Sequence, residues 1–204
     1  MKTDKQYDLS YTSGALISDY FDAVMNEIKN FDQFISGEEI IHHSVVAANA
    51  ESSQKRYIQE LNKRIKQLNK PTFDYYLVAD NKDKKIIQFY TICKSYSIIA
   101  EFMIEVLRDK WLNLNFNLDP YDFKSYLTER LEETNSLDRI TDMTLNKLVQ
   151  VFLKMLRELG MHSKGKYNPI NINPKLMQLF YKAGDEWFID AMLQSESDKK
   201  QMRI

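Results

Sequence analysis

Residues 51–70, ESSQKRYIQELNKRIKQLNK, read as one amphipathic helix whose two faces do different work. At 3.6 residues per turn, each position rotates about 100° from the last. Tyr57, Leu61, Ile65 and Leu68 then share one side, with Ile58 at its edge, and Arg56, Gln59, Lys63, Lys66 and Lys70 lie opposite. One face suits a core. The other offers cations and amides in a stripe that suits a polyanion. Ser52 or Ser53 can cap this helix, and Pro71 can end it by removing a backbone donor.

The local charge stands out against a neutral background. The 204 residues hold 28 bases and 29 acids, a net charge of −1. Residues 1–50 carry three bases and eight acids, whereas residues 51–70 carry six bases and two acids. The remainder is balanced, so the basic helix produces a local field rather than a global one.

Composition narrows the class. Hydrophobic residues make up 44% of the chain, enough for a real core. The single cysteine, Cys93, rules out an intramolecular disulfide. The opening MKTDKQYDLS lacks the apolar stretch of a signal peptide. No apolar run approaches the roughly 18 residues that a membrane helix needs, so the expected location is the cytoplasm.

Helical periodicity dominates, with five Gly and four Pro as punctuation. Ser13 can cap a helix over 14–29; a short helix at 31–36 stops at Gly37; another covers 38–47. Residues 73–79 read as a short helix, with a strand as the alternative. Residues 82–111 read as one long helix, apolar nearly all round and therefore central to a bundle. Asp119-Pro120 and Asn173-Pro174 are caps followed by proline at the first helical position, opening helices to about Glu133 and Lys182. A helix from Thr141 or Asp142 stops at Gly160; residues 162–174 are a loop; 185–193 form a last helix; the remaining tail is frayed. The chain is thus all-α, with a division near Pro71 into an N-terminal lobe (1–70) and a C-terminal helical bundle (71–204).

In the N-terminal lobe, the helices at 38–47 and 52–69 form a helix-turn-helix candidate, with the basic helix in the recognition position. Gln59 and Asn62 would reach base edges, while Lys55, Arg56, Lys63, Lys66 and Lys70 would contact phosphates or guanine. Lys164 and Lys166, beside Tyr167, make a smaller basic element that would touch a nucleic-acid backbone, or else simply a flexible loop. The competing reading of the basic face is the solvated side of an ordinary surface helix.

Catalytic and metal signals are scarce. His42 and His43 are adjacent rather than four apart, so they do not point together on a helix. Cys93 sits in the most apolar segment and reads as core. There is no phosphate loop, dinucleotide fingerprint or nucleophile elbow. The expectation is a protein without catalytic activity, metal or cofactor.

The ordered set Tyr11-Thr12-Ser13-Gly14, KRIKQL (63–68), ICKSY (92–96), FMIEVLR (102–108), DPYDF (119–123) and the run from Thr144 through LVQVFLKMLRELG to His162 resembles the BrxA family of BREX bacteriophage-exclusion systems. The resemblance covers about residues 11–193. It implies two helical lobes, the first helix-turn-helix-like and the second similar to the NusB fold. It also implies a non-catalytic role binding nucleic acid, double-stranded DNA or alternatively RNA, among other BREX proteins. A protein-interaction scaffold is the alternative from a different class. Neither oligomeric state nor sequence specificity is legible in the chain.

Overall fold

The computed structural model describes residues 6–202. Among these residues the fold is all-α apart from one two-stranded hairpin. In chain order the helices are α1 (Ser18–Glu27), α2 (Phe31–Ser36), α3 (Glu51–Ile65), α4 (Lys70–Val78), α5 (Asn81–Ser95), α6 (Ser97–Phe102), α7 (Arg108–Leu112), α8 (Pro120–Glu133) and α9 (Asp142–Leu159). The hairpin of β1 (His162–Ser163) and β2 (Lys166–Tyr167) follows, then α10 (Pro174–Lys182), α11 (Glu186–Ala191) and α12 (Glu196–Met202).

Local chemistry sets most boundaries. Asp119 accepts from Tyr121 N at 2.8 Å while Asp122 accepts from Asp119 N at 2.8 Å, a reciprocal cap with Pro120 at the first position of α8. Asn173 caps α10, and Thr141 caps α9 through Thr144 N. Gly37 and Gly160 close α2 and α9 in the left-handed region, at φ 87° and 88°.

Helix α5 is the centre of the molecule. Ile86, Ile87, Phe89, Tyr90, Ile92 and Cys93 are all buried, and α1, α3, α4 and α9 pack around it. Each such side chain contributes roughly 1.5–3 kcal/mol by leaving water. The single long helix expected over 82–111 is interrupted. Tyr96 leaves helical geometry (φ −135°, ψ 84°), and its hydroxyl donates to Glu60 of α3. Beyond it, α6 and α7 are joined through one π-helical stretch, Met103–Leu107.

Several other expectations change. Residues 38–47 are not an α-helix. They bend at Glu38 and Glu39 and continue as irregular chain, with one 3-10 turn at His43–Val45. The β-branched residues Ile40, Ile41, Val45 and Val46 disfavour a helix. The Glu39 carboxylate accepts from the backbone of Lys29 and Asn30, both at 2.8 Å, and so ties the segment back across the start of α2. The helix preceding α3 is therefore α2, with residues 37–50 between them, far from the 3–4-residue turn of a helix-turn-helix. The first helix starts at Ser18 rather than 14, because Ile17 adopts the left-handed region (φ 51°) ahead of it. Within the expected loop 162–174, Lys164 (φ 51°) and Gly165 (φ 74°) make a tight two-residue hairpin turn. The tail is helical from Glu196 to Met202 and anchored by Lys199 on Asp190; Arg203 and Ile204 lie outside the described residues.

Pro71 falls inside the first turn of α4, where Asn69 caps by accepting from Thr72 N at 2.9 Å. Leu68 before it and Phe73 after it belong to the same buried cluster. Residues 6–17 form a strap across the molecule. Tyr7 donates to Glu101 at 2.8 Å, and Leu16 N donates to Glu158 of α9 at 2.8 Å.

Candidate nucleic-acid interface

The site is built on α3. Its acid Glu51 lies in the first turn and its bases Lys63 and Arg64 in the last, as the helix dipole favours. Ile58, Leu61 and Ile65 are buried on the inner face, joined by Leu68 in the following turn. Tyr57, expected inward, is half-buried at the margin, where its ring meets Tyr20 of α1 at 5.1 Å between centroids.

The inner face also holds two charges. Arg64 is fully buried, and its Nε donates to Glu60 Oε1 at 2.6 Å. Its Nη1 and Nη2 donate to the carbonyls of Ala15 (2.7 Å) and Gly14 (3.2 Å) on the strap. Glu60 accepts in turn from the Tyr96 hydroxyl, at 2.6 and 2.7 Å. Burial and the bond to Glu60 push the Tyr96 phenol well above its ordinary range, so it stays a donor. Arg64 therefore fixes how α3 sits on the strap rather than meeting a ligand. The signal was in the sequence: Arg64 lies three residues after Leu61 and four before Leu68, on the apolar stripe, with Glu60 four residues earlier.

The outer face carries the remaining candidates. Arg56, Gln59 and Lys66 are exposed, and the Arg56 guanidinium lies 5.6 Å from the Tyr57 ring. Lys55 is exposed and pairs with Glu51 at 2.7 Å; that hydrogen bond holds the Glu51 carboxyl below its ordinary value. Lys63 is different. Its Nζ sits 2.5 Å from Asp8 Oδ2 and 3.9 Å from the centre of the Tyr96 ring, only a third exposed. Asn62 is half-buried, and its side-chain oxygen is shut away from solvent. Lys70 is on the next helix, because α3 stops at Ile65, and it pairs with Asp74. Lys164 and Lys166 project from the hairpin, both exposed. That hairpin is pinned by Leu118 N to Gly165 O and Tyr167 N to Phe116 O, each at 2.9 Å. Thus α3 and its C-cap residue Lys66 bring Lys55, Arg56, Gln59 and Lys66 together, with Lys63 engaged beside them, and leave Lys70 and the hairpin lysines on other elements.

A model of the BrxA family matches residues 5–183. The chain belongs to the BrxA family. Among BrxA-like relatives, the "BREX protein BrxA" of Bacillus cereus (strain H3081.97) is 26% identical over 175 residues, covering 81% of this chain and 84% of that protein. The BrxA fold seen here is shared by the crystal structure of an uncharacterized protein from Magnetospirillum magneticum. That structure matches 94% of this chain and all of its own, with a TM-score of 0.69 at 16% identity. No helix among the described residues is long and apolar enough to cross a membrane.

Proposed function

We propose that this BrxA-family protein is a non-catalytic, cytoplasmic component of a BREX anti-phage defence system that binds duplex DNA through the outer face of α3. The relative named as a BREX protein supports the system. The observation that carries the binding is the exposed stripe of Lys55, Arg56 and Gln59 on α3 and Lys66 at its C-cap, along a helix whose one exposed carboxylate is Glu51. From Lys55 to Lys66 the helix rises about 16 Å at 1.5 Å per residue. The major groove is about 12 Å wide, so cations at the two ends reach phosphates on both rims while Gln59 faces base edges between them. The lysines of the 162–167 hairpin are further phosphate contacts in this reading.

Titration of a labelled duplex, a single strand and an RNA duplex at one salt concentration tests this. The duplex DNA is expected to bind most tightly, with a steep loss of affinity as salt rises. Arg56→Glu/Lys66→Glu is expected to abolish binding. Equal binding of the RNA would redirect the reading to RNA. Loss of a nuclease-resistant protein partner in this variant, with DNA affinity unchanged, would favour a scaffold instead.

A further inference from the structure

Helix α9 presents a second cationic face. Its inner side is buried along its whole length, with Leu145, Leu148, Phe152, Met155 and Leu156 among the buried residues. Positions 147, 150, 154 and 157 recur at three- and four-residue steps on the outer side, so Lys147, Gln150, Lys154 and Arg157 form one stripe. All four are exposed. Among the described residues, no carboxylate lies within ion-pair distance of Lys147 or Arg157. Lys154 lies 3.6 Å from Glu158, whose other oxygen accepts from the strap at Leu16.

This stripe borders a cavity of about 450 Å³ between α1, α5 and α9. Lys85 of α5 lines it, half-buried and likewise without an ion-pair partner among the described residues, together with Lys154 and Tyr20. Asp19 and Glu158 also line it, so the cavity itself is balanced and the excess positive charge lies along α9. Tyr20 is the link to the first site, because its ring stacks edge-on against Tyr57, which lies beneath Arg56. One surface therefore runs from Arg56 over Tyr57 and Tyr20 to Lys85 and Lys154.

We propose that the outer face of α9, with Lys85, is a second phosphate-contacting surface that takes the backbone of the same duplex that α3 engages. The inference rests on the DNA-binding reading above. The chemistry favours a nucleic acid over a protein partner. The stripe of Lys147, Gln150, Lys154 and Arg157 is cations and an amide, and the exposed apolar residue of α9, Met143, lies at its end rather than at its centre, where protein interfaces place their anchors. Phosphate contacts, by contrast, are made by such side chains and need no apolar pocket.

The test is the salt dependence of duplex binding by Lys147→Gln/Lys154→Gln/Arg157→Gln, set beside Arg56→Glu/Lys66→Glu. Each phosphate neutralised contributes about −0.9 to the slope of log affinity against log salt. The α9 variant is expected to bind more weakly, with a slope less steep by about 2 to 3. The charge-reversed version, Lys147→Glu/Lys154→Glu/Arg157→Glu, is expected to bind more weakly still, with unchanged far-UV ellipticity. Wild-type affinity and slope in the α9 variants, alongside loss in the α3 variant, overturns this inference and leaves the α3 reading standing. Loss in the α9 variants with full binding in the α3 variant supports α9 as a contact and overturns α3. Absence of duplex binding by the wild-type chain overturns both. Capture of a protein partner lost only in the α9 variants, at unchanged duplex affinity, assigns the face to protein and overturns the inference.

Discussion

Lys63 of α3 is held by Asp8 of the strap, Nζ to Oδ2 at 2.5 Å, across 55 residues of sequence. The Asp8 carboxylate is partly buried, which raises its pKa, yet the bonds from Lys63 and Ser10 hold it below the ordinary value. On the DNA-binding reading, it occupies a cation that a phosphate would otherwise meet. Asp8→Asn is therefore expected to tighten duplex binding and steepen its salt dependence. A pair this exposed is worth up to about 1 kcal/mol, so the gain should not exceed about fivefold. Anisotropy titration of wild type and variant reads this directly.

The buried Arg64–Glu60 pair sets the seating of α3, and breaking one side of it should be costly. Arg64→Met strands the Glu60 carboxylate with only the Tyr96 hydroxyl, and the expected loss is about 3–5 kcal/mol in urea denaturation. Glu60→Gln keeps a hydrogen-bonding group at the site and is expected to lose less. The opposite ranking would show that the pair does not anchor the strap.

Gly14 lies where the strap passes α3. A Cβ there would fall 2.6 Å from Ile17 Cγ2, and Ile17 is itself fixed in the left-handed region. Gly14→Ala is expected to destabilise the protein by about 1–3 kcal/mol, the range for overpacking. Equilibrium unfolding measures this, and an unchanged midpoint would contradict the packing described.

His162 is expected to make the stability of the hairpin depend on pH. Burial, reinforced by the nearby Arg157 charge, lowers its folded-state pKa below the ordinary 6.5. The unfolded chain therefore binds the proton more readily than the folded one. The stability contributed by the neutral ring is present above pH 6.5 and lost as the pH falls through that value towards the folded pKa. The melting temperature of the wild type should fall between pH 8 and pH 5.5 by more than that of His162→Gln.

Much of the architecture was legible because it rests on local chemistry. The caps at Asp119, Thr141 and Asn173 and the stops at Gly37 and Gly160 mark helix ends within a few residues of sequence. The apolar girth of α5 announced its central place. What stayed hidden is set by distant partners. The chain at 38–47 has a helix-like spacing of apolar residues, yet Glu39 ties it to Lys29 and Asn30. The helix break at Tyr96 accompanies its bonds to Glu60, 36 residues earlier. For the same reason Lys63 read as a free cation: Asp8 is invisible to any local pattern. The α9 stripe is masked for a different reason: the strong apolar period of its inner face dominates the local pattern, and the cations fall in the gaps between its buried residues.

Duplex anisotropy as a function of salt decides whether α3 meets the phosphate backbone of duplex DNA. The wild-type chain is expected to bind, with a negative log–log slope of about 0.9 per phosphate contacted. Arg56→Glu/Lys66→Glu is expected to lose that binding with helical ellipticity intact. Binding that survives in this variant at wild-type affinity, or that is insensitive to salt, would show that α3 does not contact the duplex.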